Sequence, residues 1–376
     1  MINTLHIDIE GGFGGSSISL FNLISLIDKK KFNPHAIVKI KGPIYKKYKS
    51  IKIDVTHLPY IYSFIPKPKG VNNLKLLIYS LKDILKLPIG LIQILNLIKK
   101  KNIDVIHLNF EGLFLLGFFL KLLSKKKIIT HFRSTIPQDS ILHSLICKII
   151  IFLSDKIVFI NDYEKKRFIK KFKKFKKLKS CSSIYNFSSI RLSKKKINRK
   201  KIIYLGNISF FKGVDRLLPI AKLLSELGVK EKILIYGLPR GEKKFFKSLK
   251  TKIKKLKLEN IKIMGRTSNP EKIIESSLLL LRPSRWNDPW GRDIIDSIHA
   301  LTPCISTGSS NELVENGYNG YLVKDFEPKK VSNIIYMILK NKNLWKKLSL
   351  NQKKILNKRF NKKDRLNKIE NIFKLK

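Results

Sequence analysis

The chain has few cysteines, and they lie far apart. Cys147, Cys181 and Cys304 are the three cysteines among 376 residues. So small a number with such wide spacing gives neither a disulfide framework nor a cysteine-based metal site. No cluster of His, Cys and Asp has metal-ligand spacing either. The sequence therefore favours a reducing compartment and predicts no bound metal ion.

The chain also lacks a long apolar run. No run reaches the roughly 18 residues that a membrane-spanning helix needs. The nearest runs, residues 113–123 and 146–153, are interrupted by lysine and are interpreted first as core helices. Beside other lysines, such helices could also dock onto an acidic membrane leaflet. The first ten residues, MINTLHIDIE, lack the basic and apolar regions of a signal peptide. We therefore expect a cytoplasmic protein, with peripheral attachment to the inner face of the membrane as a further hypothesis.

Acidic residues are scarce. The chain has 27 Asp and Glu against 78 Lys and Arg, which gives a formal net charge of +51. Such a charge is typical of proteins that bind nucleic acid or anionic membranes. Only 12 of the 78 basic residues are Arg, and the lysines are spread through every segment, which favours a compositional bias. No nucleic-acid-binding motif or basic-aromatic interleaving occurs, so we expect no specific nucleic-acid partner.

Strand and helix patterns alternate twice along the chain. A polar stretch at residues 179–201 separates the two series and is the predicted linker. Alternation of this kind predicts parallel sheets with helices on both faces. We therefore expect an α/β protein of two Rossmann-like domains, residues 1–198 and 199–358, facing each other across a cleft. Residues 359–376 are predicted to form a helix that packs back on the first domain. The predicted strands are residues 4–9, 36–40, 104–108, 127–131, 156–160, 202–205, 232–236, 261–264, 278–281 and 304–306. The main predicted helices are residues 18–27, 74–99 with a break at 88–90, and 141–153.

Two carboxylates stand eight positions apart in the second domain. Asp288 follows the predicted strand at residues 278–281, and Asp296 lies in the helix after it, between Ile295 and Ile298. Ligands of open α/β sheets bind at the carboxyl ends of the strands. Carboxylates in this place can accept hydrogen bonds from sugar or ribose hydroxyls.

The segment around these acids resembles the E-x7-E signature of the retaining glycosyltransferases of family 4, which have the two-domain GT-B fold. Pro283-Ser284, Gly291, Thr302-Pro303 and Glu312-Leu313-Val314 match its surroundings in order. Both acids are Asp here rather than Glu, and Ser297 stands where Ala is usual. The resemblance implies retaining transfer of a sugar from a nucleotide-diphosphate sugar, with no cofactor and no bound metal. It assigns Asp288 to the sugar and Asp296 to the ribose, with Trp290, Gly291 and Arg292 among the donor contacts.

Further stretches resemble the donor site of the same family. Lys212-Gly213 matches a string in which an arginine and a lysine neutralise the departing diphosphate, but Asn207 stands at the arginine position. Lys212 would then act alone or with Arg292 or Arg266. Gly265-Arg266 resembles the loop that holds the nucleotide base. The Gly-rich loop at residues 10–17, with Gly14 and Gly15, resembles the loop that borders the donor phosphates.

The acceptor side is expected in the first domain. His107 and His131 end two predicted strands and could face the cleft, and Arg133 could meet a phosphate. His131 resembles the family's histidine beside the transferred sugar. The predicted catalytic residues are thus His131, Asp288 and Lys212, with His107 and Arg133 on the acceptor. The acceptor is expected to be a glycan or lipid-linked molecule of polysaccharide or lipopolysaccharide assembly.

Two alternatives remain open. The charge alone is compatible with a non-enzymatic polyanion-binding protein. Asn207 and the two aspartates are compatible with a degenerate transferase that binds donor without turnover. No nucleophile triad, Walker loop or zinc-protease motif occurs in the chain.

Overall fold

The computed structural model describes most of the chain. The first part of the helix predicted at residues 74–99, up to residue 83, lies outside the described residues. Two predicted site residues, Asp288 and Trp290, lie outside them as well. Within the described ranges, no helix combines the length and the apolarity needed to cross a membrane. The described residues are 1–12, 14–64, 84–134, 141–175, 178, 180–188, 190, 199–239, 241–285, 291–310 and 312–374.

The chain forms two compact units. Met1–Phe187 and Lys362–Lys376 make up the first, and Ser188–Asn361 makes up the second. The division after Phe187 falls inside the polar stretch at residues 179–201, where the sequence favours a linker. Ser188 already belongs to the second unit, where its hydroxyl donates to Asp296 Oδ1 at 2.5 Å.

The first unit is built on a parallel sheet of seven strands in the order β3-β2-β1-β4-β5-β6-β7. Helices cover both of its faces. The strands are β1 (Ile2–Asp8), β2 (Phe32–Val38), β3 (Asp54–His57), β4 (Val105–Leu108), β5 (Lys127–Phe132), β6 (Lys156–Phe159) and β7 (Cys181–Ser183). The helices are α1 (Gly15–Leu26), α2 (Pro43–Ser50), α3 (Leu87–Lys100), α4 (Phe114–Ser124), α5 (Ile141–Leu153), α6 (Asp162–Lys171) and, from the end of the chain, α13 (Lys362–Phe373).

The second unit repeats this plan with six parallel strands in the order β10-β9-β8-β11-β12-β13. The predicted α/β class with two parallel sheets is therefore confirmed. The strands are β8 (Lys201–Leu205), β9 (Ile233–Tyr236), β10 (Ile261–Gly265), β11 (Ser277–Arg282), β12 (Cys304–Thr307) and β13 (Gly320–Val323). The helices are α7 (Leu217–Glu226), α8 (Lys243–Lys255), α9 (Pro270–Glu275), α10 (Arg292–His299), α11 (Pro328–Lys340) and α12 (Lys342–Arg359).

Two element boundaries differ between the prediction and the structure, and each lies near a proline. Strand β2 begins at Phe32 rather than at residue 36 and contains Pro34. A proline is tolerated there because pairing with β3 begins only at His35, so that side of β2 is still an edge. Pro88 lies in the first turn of α3, so the predicted break marks the start of a helix, where the missing N–H of proline is harmless.

Alternation along the central strands decides which residues reach which face. Leu5 and Ile7 of β1 pack into the core beneath α3 and α4. Thr4, His6 and Asp8 alternate with them and therefore point to the opposite face. On that opposite face, α13 contributes Ile369, Ile372 and Phe373 to a core that also contains Ile129 and Val158.

Phe373 should be a principal stabiliser of the first unit. Its side chain is 2% exposed and packs edge-on against Phe32, His6 and His107. Phe373→Ala should lower the free energy of unfolding by about 3–5 kcal/mol, because it leaves a cavity in a close-packed core. Urea unfolding measures the loss. The control Phe152→Ala, at a side chain that is 61% exposed, should cost well under 1 kcal/mol. Equal losses in both variants would contradict the packing role of α13.

Candidate functional site

Each sheet has one point at which its strand order reverses. In the first sheet it lies between β1 and β4, and in the second between β8 and β11. The loops after these neighbouring strands diverge and leave a crevice at the carboxyl edge, which is where open α/β sheets bind ligands. The loops after β1, β4, β8 and β11 are therefore the first candidates for function.

The loop after β1 is held in place by carboxylates. Gly11 and Gly12 have φ angles of 61° and 93°, and a Cβ on Gly11 would lie 2.3 Å from the Ile40 carbonyl oxygen. Both positions therefore require glycine. The Asp8 carboxylate accepts the Gly11 N–H at 3.0 Å and the Ser17 hydroxyl at 2.6 Å.

The start of α1 carries a carboxylate of its own. Gly14 caps α1 and Gly15 begins it. The Glu10 carboxylate accepts the Ser16 hydroxyl and lies so close to Gly14 that a Cβ there would overlap it. An anion at this helix end gains from the helix dipole, and Glu10 already provides one. The predicted contact of Gly14 and Gly15 with donor phosphates is thus opposed by local charge.

Arg133 joins the loops after β4 and β5. Its guanidinium donates from Nε to Asn109 Oδ1 at 2.9 Å and from one terminal nitrogen to Asn186 Oδ1 at 2.8 Å. Its backbone N–H donates to Glu111 at 2.9 Å. Burial lowers the pKa of Arg133 to about 10, while the negative charge of Asp8 and Glu111 acts in the opposite direction. Arg133 therefore links three loops within the first unit, and its predicted contact with a phosphate stays a prediction.

The surroundings of Arg133 are rich in carboxyl groups. Burial raises the pKa of Asp8 and of Glu111 above their usual values. The Tyr48 hydroxyl is buried without a hydrogen-bond partner among the described residues, and burial together with the charge of Asp8 raises its pKa well above 10. Three carboxyl groups, those of Asp8, Glu111 and Glu10, form a cluster near enough to the Arg133 guanidinium for their charge to act on it. The cluster suits hydroxyl groups better than phosphate.

His107 and His131 lie in the interior and not at an open edge. They are 1% and 2% exposed and, with Phe373, line a small cavity in the first unit. His6 Nδ1 is 3.0 Å from His107 Nδ1, and the His107 and His131 ring centres are 5.5 Å apart. Burial lowers the pKa of all three, that of His6 to about 3. The expectation that His107 and His131 face the cleft is therefore corrected. Strand alternation turns both toward the face that α13 covers.

In the second unit, the loop after β8 is fixed to the end of β11. Gly213 has a φ angle of 68°, and a Cβ on it would lie 1.9 Å from the Pro283 carbonyl oxygen. The Arg285 N–H donates to the Phe211 carbonyl at 2.9 Å. Lys212 stands between Phe211 and Gly213, so its backbone has little freedom. Its own N–H donates to Ser209 Oγ at 3.2 Å.

Two arginines complete this connection. Arg285 forms a bidentate pair with Asp215, with both N···O distances at 2.7 Å, and lies 3.8 Å over the Phe210 ring. Arg216 donates to the carbonyls of Pro283 and Ser284 at 3.3 and 3.1 Å. Bidentate guanidinium contacts fix both distance and direction. These contacts hold the loops after β8 and β11 together at the point where the strand order reverses. We call these two loops, residues 206–216 and 283–285, the rigid lip.

The other predicted donor residues lie at the same edge of the second sheet. Asn207 follows β8 and is exposed, and Arg266 follows β10 and is also exposed. Gly265 has a φ angle of 77°, and its carbonyl accepts the Gly237 N–H at 2.8 Å. Gly291 caps α10 and fits closely against the Arg282 guanidinium, which pairs with Asp293.

Asp296 is buried and already paired within the second unit. It is 5% exposed, accepts the Ser188 hydroxyl at 2.5 Å, and has Arg292 Nε 3.4 Å from Oδ2. Burial raises the pKa of Asp296 to about 6, which outweighs the opposing effects of Arg292 and Ser188. The carboxylate thus lies one turn inside α10, with one hydroxyl donor and one cation beside it.

Several of these residues were missed by reasoning from sequence. Asp8, Glu111, Asp215, Asp293 and Ser188 carry no motif, and each is defined by a partner that only the fold brings near. The position of Asp8 gives one usable indication, since a polar residue ends a buried strand just before a glycine-rich loop.

The pKa of Asp296 predicts a pH-dependent stability. An unfolded chain gives aspartate a pKa of about 3.9, so the folded protein binds the extra proton between about pH 4 and 6. The stabilisation is therefore full below about pH 4 and is lost as pH rises through about 6. The side chain of Asp296→Asn does not titrate, so the variant should not lose this stabilisation. Between pH 4 and pH 7, the free energy of unfolding of wild type should therefore fall by about 3 kcal/mol relative to that of Asp296→Asn, as measured by urea titration. The exposed Asp325→Asn should follow wild type, and parallel curves for all three proteins would refute the assignment.

Comparison with known proteins bears on both units. Residues 188–355 match the family described as Glycosyl transferases group 1. The uncharacterized glycosyltransferase MJ1178 of Methanocaldococcus jannaschii is 25% identical over 273 residues, which cover 70% of this chain and 73% of that protein.

Solved structures resemble the whole chain. HepE of Anabaena in complex with UDP-glucose superimposes with a TM-score of 0.80 at 17% identity and covers 99% of both chains. Sucrose-phosphate synthase from Thermosynechococcus elongatus gives a TM-score of 0.76 at 13% identity, over 100% of this chain and 98% of that one. These likenesses concern the fold. The protein thus has the two-sheet α/β fold of the GT-B glycosyltransferases, and its residues 188–355 match the glycosyl transferases group 1 family.

Proposed function

We propose that the protein is a glycosyltransferase that moves a sugar from a nucleotide-diphosphate sugar to a hydroxyl of a glycan or lipid-linked acceptor. The group 1 domain at residues 188–355 supports the reaction class. The observation that carries the proposal is the rigid lip at the second switch point, with Lys212 between Phe211 and Gly213. HepE, a solved protein of similar fold, has crystal structures in complex with UDP and with UDP-glucose, which supports a nucleotide sugar as donor.

Lys212 is the proposed partner of the diphosphate. The departing nucleoside diphosphate develops negative charge, and a preorganised cation stabilises that charge without rearranging. The close approach of Gly213 to Pro283 and the contact of Arg285 with Phe211 supply the preorganisation. Asn207 carries no charge, so the second cation of this proposal is Arg266, which lies exposed at the end of β10.

Asp296 is the proposed partner of the ribose. Its carboxylate already accepts one hydroxyl, that of Ser188, and a ribose hydroxyl is a donor of the same kind. Arg292, 3.4 Å away, favours the ionised form in which both oxygens accept. Asp288 and Trp290 lie outside the described residues. Asp288 keeps its proposed role on the sugar hydroxyls, and Trp290 and Gly291 keep their proposed contacts with the donor.

The acceptor is proposed to bind to the first unit at the cluster around Arg133. Buried carboxyl groups of Asp8 and Glu111 can accept hydrogen bonds from hydroxyls, and Arg133 is already engaged with Asn109 and Asn186. This charge balance favours a neutral, hydroxyl-rich acceptor group over a phosphate. It also moves the proposed acceptor contacts away from the buried His107 and His131.

The proposed reaction retains the configuration of the anomeric carbon. In the mechanism that the family resemblance implies, the leaving phosphate takes the acceptor proton on the same face of the sugar, and no protein nucleophile is needed. The protein then works by positioning the reactants and stabilising charge. Lys212 and Arg266 would supply positive charge that a bound metal supplies in other enzymes, so the proposal includes metal independence. Cell-surface polysaccharide or lipopolysaccharide assembly is the proposed setting.

The decisive experiment for the function is a transfer assay with UDP-, GDP- and ADP-hexoses and glycan and lipid-linked acceptors. Release of the nucleoside diphosphate should depend on acceptor, should survive excess EDTA, and should give a product with the donor's anomeric configuration by NMR. Donor binding without transfer to any acceptor would favour the degenerate transferase. Binding of DNA but of no nucleotide sugar would favour the polyanion-binding protein.

Lys212→Ala should weaken binding of the free nucleoside diphosphate. Loss of a charge-assisted contact costs roughly 1.5–3 kcal/mol, which is about ten- to a hundredfold in affinity. Isothermal titration measures the change. The control Lys222→Ala removes a lysine of α7 whose side chain is 64% exposed, so it subtracts the same charge without touching the lip. Equal affinities in the two variants would remove Lys212 from the site.

A further inference from the structure

Exposed apolar side chains are concentrated on three helices of the first unit. Ten of the 21 large apolar side chains that are exposed among the described residues lie between Ile84 and Phe152. Contiguous exposed apolar surface on a protein usually marks a partner. We call the following residues the α3–α5 face: Ile89 and Ile92 on α3, Leu122 and Leu123 on α4, and Leu142 and Leu145 on α5.

The α3–α5 face extends over three neighbouring helices. Helix α3 packs beside α4, and α4 beside α5. The opposite sides of α3 and α4 are buried against the sheet through residues such as Ile94 and Leu116, so the exposed residues point away from it. The rings of Phe118 on α4 and Phe152 on α5 lie 6.3 Å apart and connect these two helices at the surface. In the second unit, by contrast, exposed apolar residues such as Leu238 and Leu350 lie singly on separate elements.

The charged residues of the three helices have one sign. Helices α3, α4 and α5 contain no Asp or Glu, and their charged residues are Lys99, Lys100, Lys121 and Lys148. Lys121 pairs with Asp155 at 2.6 Å, whereas Lys99, Lys100 and Lys148 are exposed. Each basic residue near an acidic bilayer strengthens binding, while apolar side chains insert among the acyl chains. The face is thus complementary to a surface that is both apolar and anionic.

The composition of the face separates a bilayer from a protein partner. Protein interfaces are enriched in Tyr, Trp, Phe, Met and Arg and depleted in Lys. Of those five enriched residues the three helices contain Phe but no Tyr, Trp, Met or Arg, and their other side chains are mostly Leu, Ile and Lys. We propose that the α3–α5 face docks the first unit onto an anionic lipid bilayer. Docking is independent of the proposed transfer reaction, because it needs neither donor nor acceptor.

Vesicle binding by the full chain without nucleotide tests the proposal. The probes are phosphatidylcholine vesicles with and without half phosphatidylglycerol. Wild type should bind the anionic vesicles, and its apparent Kd should rise at least tenfold from 0.1 to 0.5 M salt because the Debye length shortens. Strong binding to pure phosphatidylcholine, or binding to neither kind of vesicle, would overturn the proposal.

A pair of matched double variants locates the surface. Leu142→Glu with Leu145→Glu changes side chains that are 51% and 55% exposed, and Leu238→Glu with Leu350→Glu changes side chains that are 48% and 62% exposed. Both doubles alter the net charge equally. The first should raise the apparent Kd for anionic vesicles at least tenfold, about 1.4 kcal/mol, and the second by less than threefold. Equal effects would mean adsorption by total charge, and light scattering that shows a wild-type dimer dissolved by the first double would mean a second copy as the partner. Either result overturns the proposal.

A fluorescence measurement covers the case in which the first double does not fold. An environment-sensitive probe on Leu145→Cys, in a Cys181→Ser background because Cys147 and Cys304 are buried, should shift to shorter wavelength with anionic vesicles. The same probe on Leu350→Cys should not shift. A shift at both positions or at neither would contradict docking through the α3–α5 face.

Discussion

The close approach of Gly213 to Pro283 is the constraint on which the second unit's site depends. Because no side chain fits between them, the loop after β8 must lie on the end of β11. Arg285 and Arg216 then hold the two loops together through Asp215 and backbone carbonyls. A flexible lysine in a lysine-rich chain is ordinarily a solvated surface charge. In the loop after β8, the backbone of Lys212 is fixed at the switch point of a parallel sheet, where its positive charge can act on a bound ligand.

The two units use charge in opposite ways. At the second unit's edge, Lys212 and Arg266 are the proposed partners of a diphosphate, and Arg292 is paired with Asp296. At the first unit's edge, the charge of three carboxyl groups acts on Arg133, although the chain as a whole carries a formal charge of +51. Net charge therefore says little about either site. The excess lysine has a local consequence on the α3–α5 face, where it borders apolar side chains instead of carboxylates.

The fold could be predicted from sequence because alternating strand and helix patterns permit few architectures. Lys212 and Asp296 could be selected because their motifs resemble those of a known family. Lys212 lies in a strand-end loop and Asp296 in a helix, and their roles stay proposals. The prediction that His131 and His107 face the cleft was wrong, because a position at the end of a strand does not show toward which face of the sheet the side chain points. Strand alternation turns both side chains to one face of the sheet, and α13, from the far end of the chain, covers that face and buries both rings. The structural roles of Asp215, Asp293 and Glu111 could not be predicted from the sequence, because their hydrogen-bond and ion-pair partners come near only in the folded chain.

The central claim is that the second unit binds the nucleotide through Asp296 and the sugar through Asp288. Isothermal titration of Asp296→Ala and Asp288→Ala, each with the free nucleoside diphosphate and with the intact nucleotide sugar, tests it most directly. The account predicts that Asp296→Ala loses about ten- to a hundredfold in affinity for both ligands, while Asp288→Ala binds the diphosphate normally and only the intact donor weakly. Equal losses in the two variants, or full diphosphate affinity in Asp296→Ala, would contradict it.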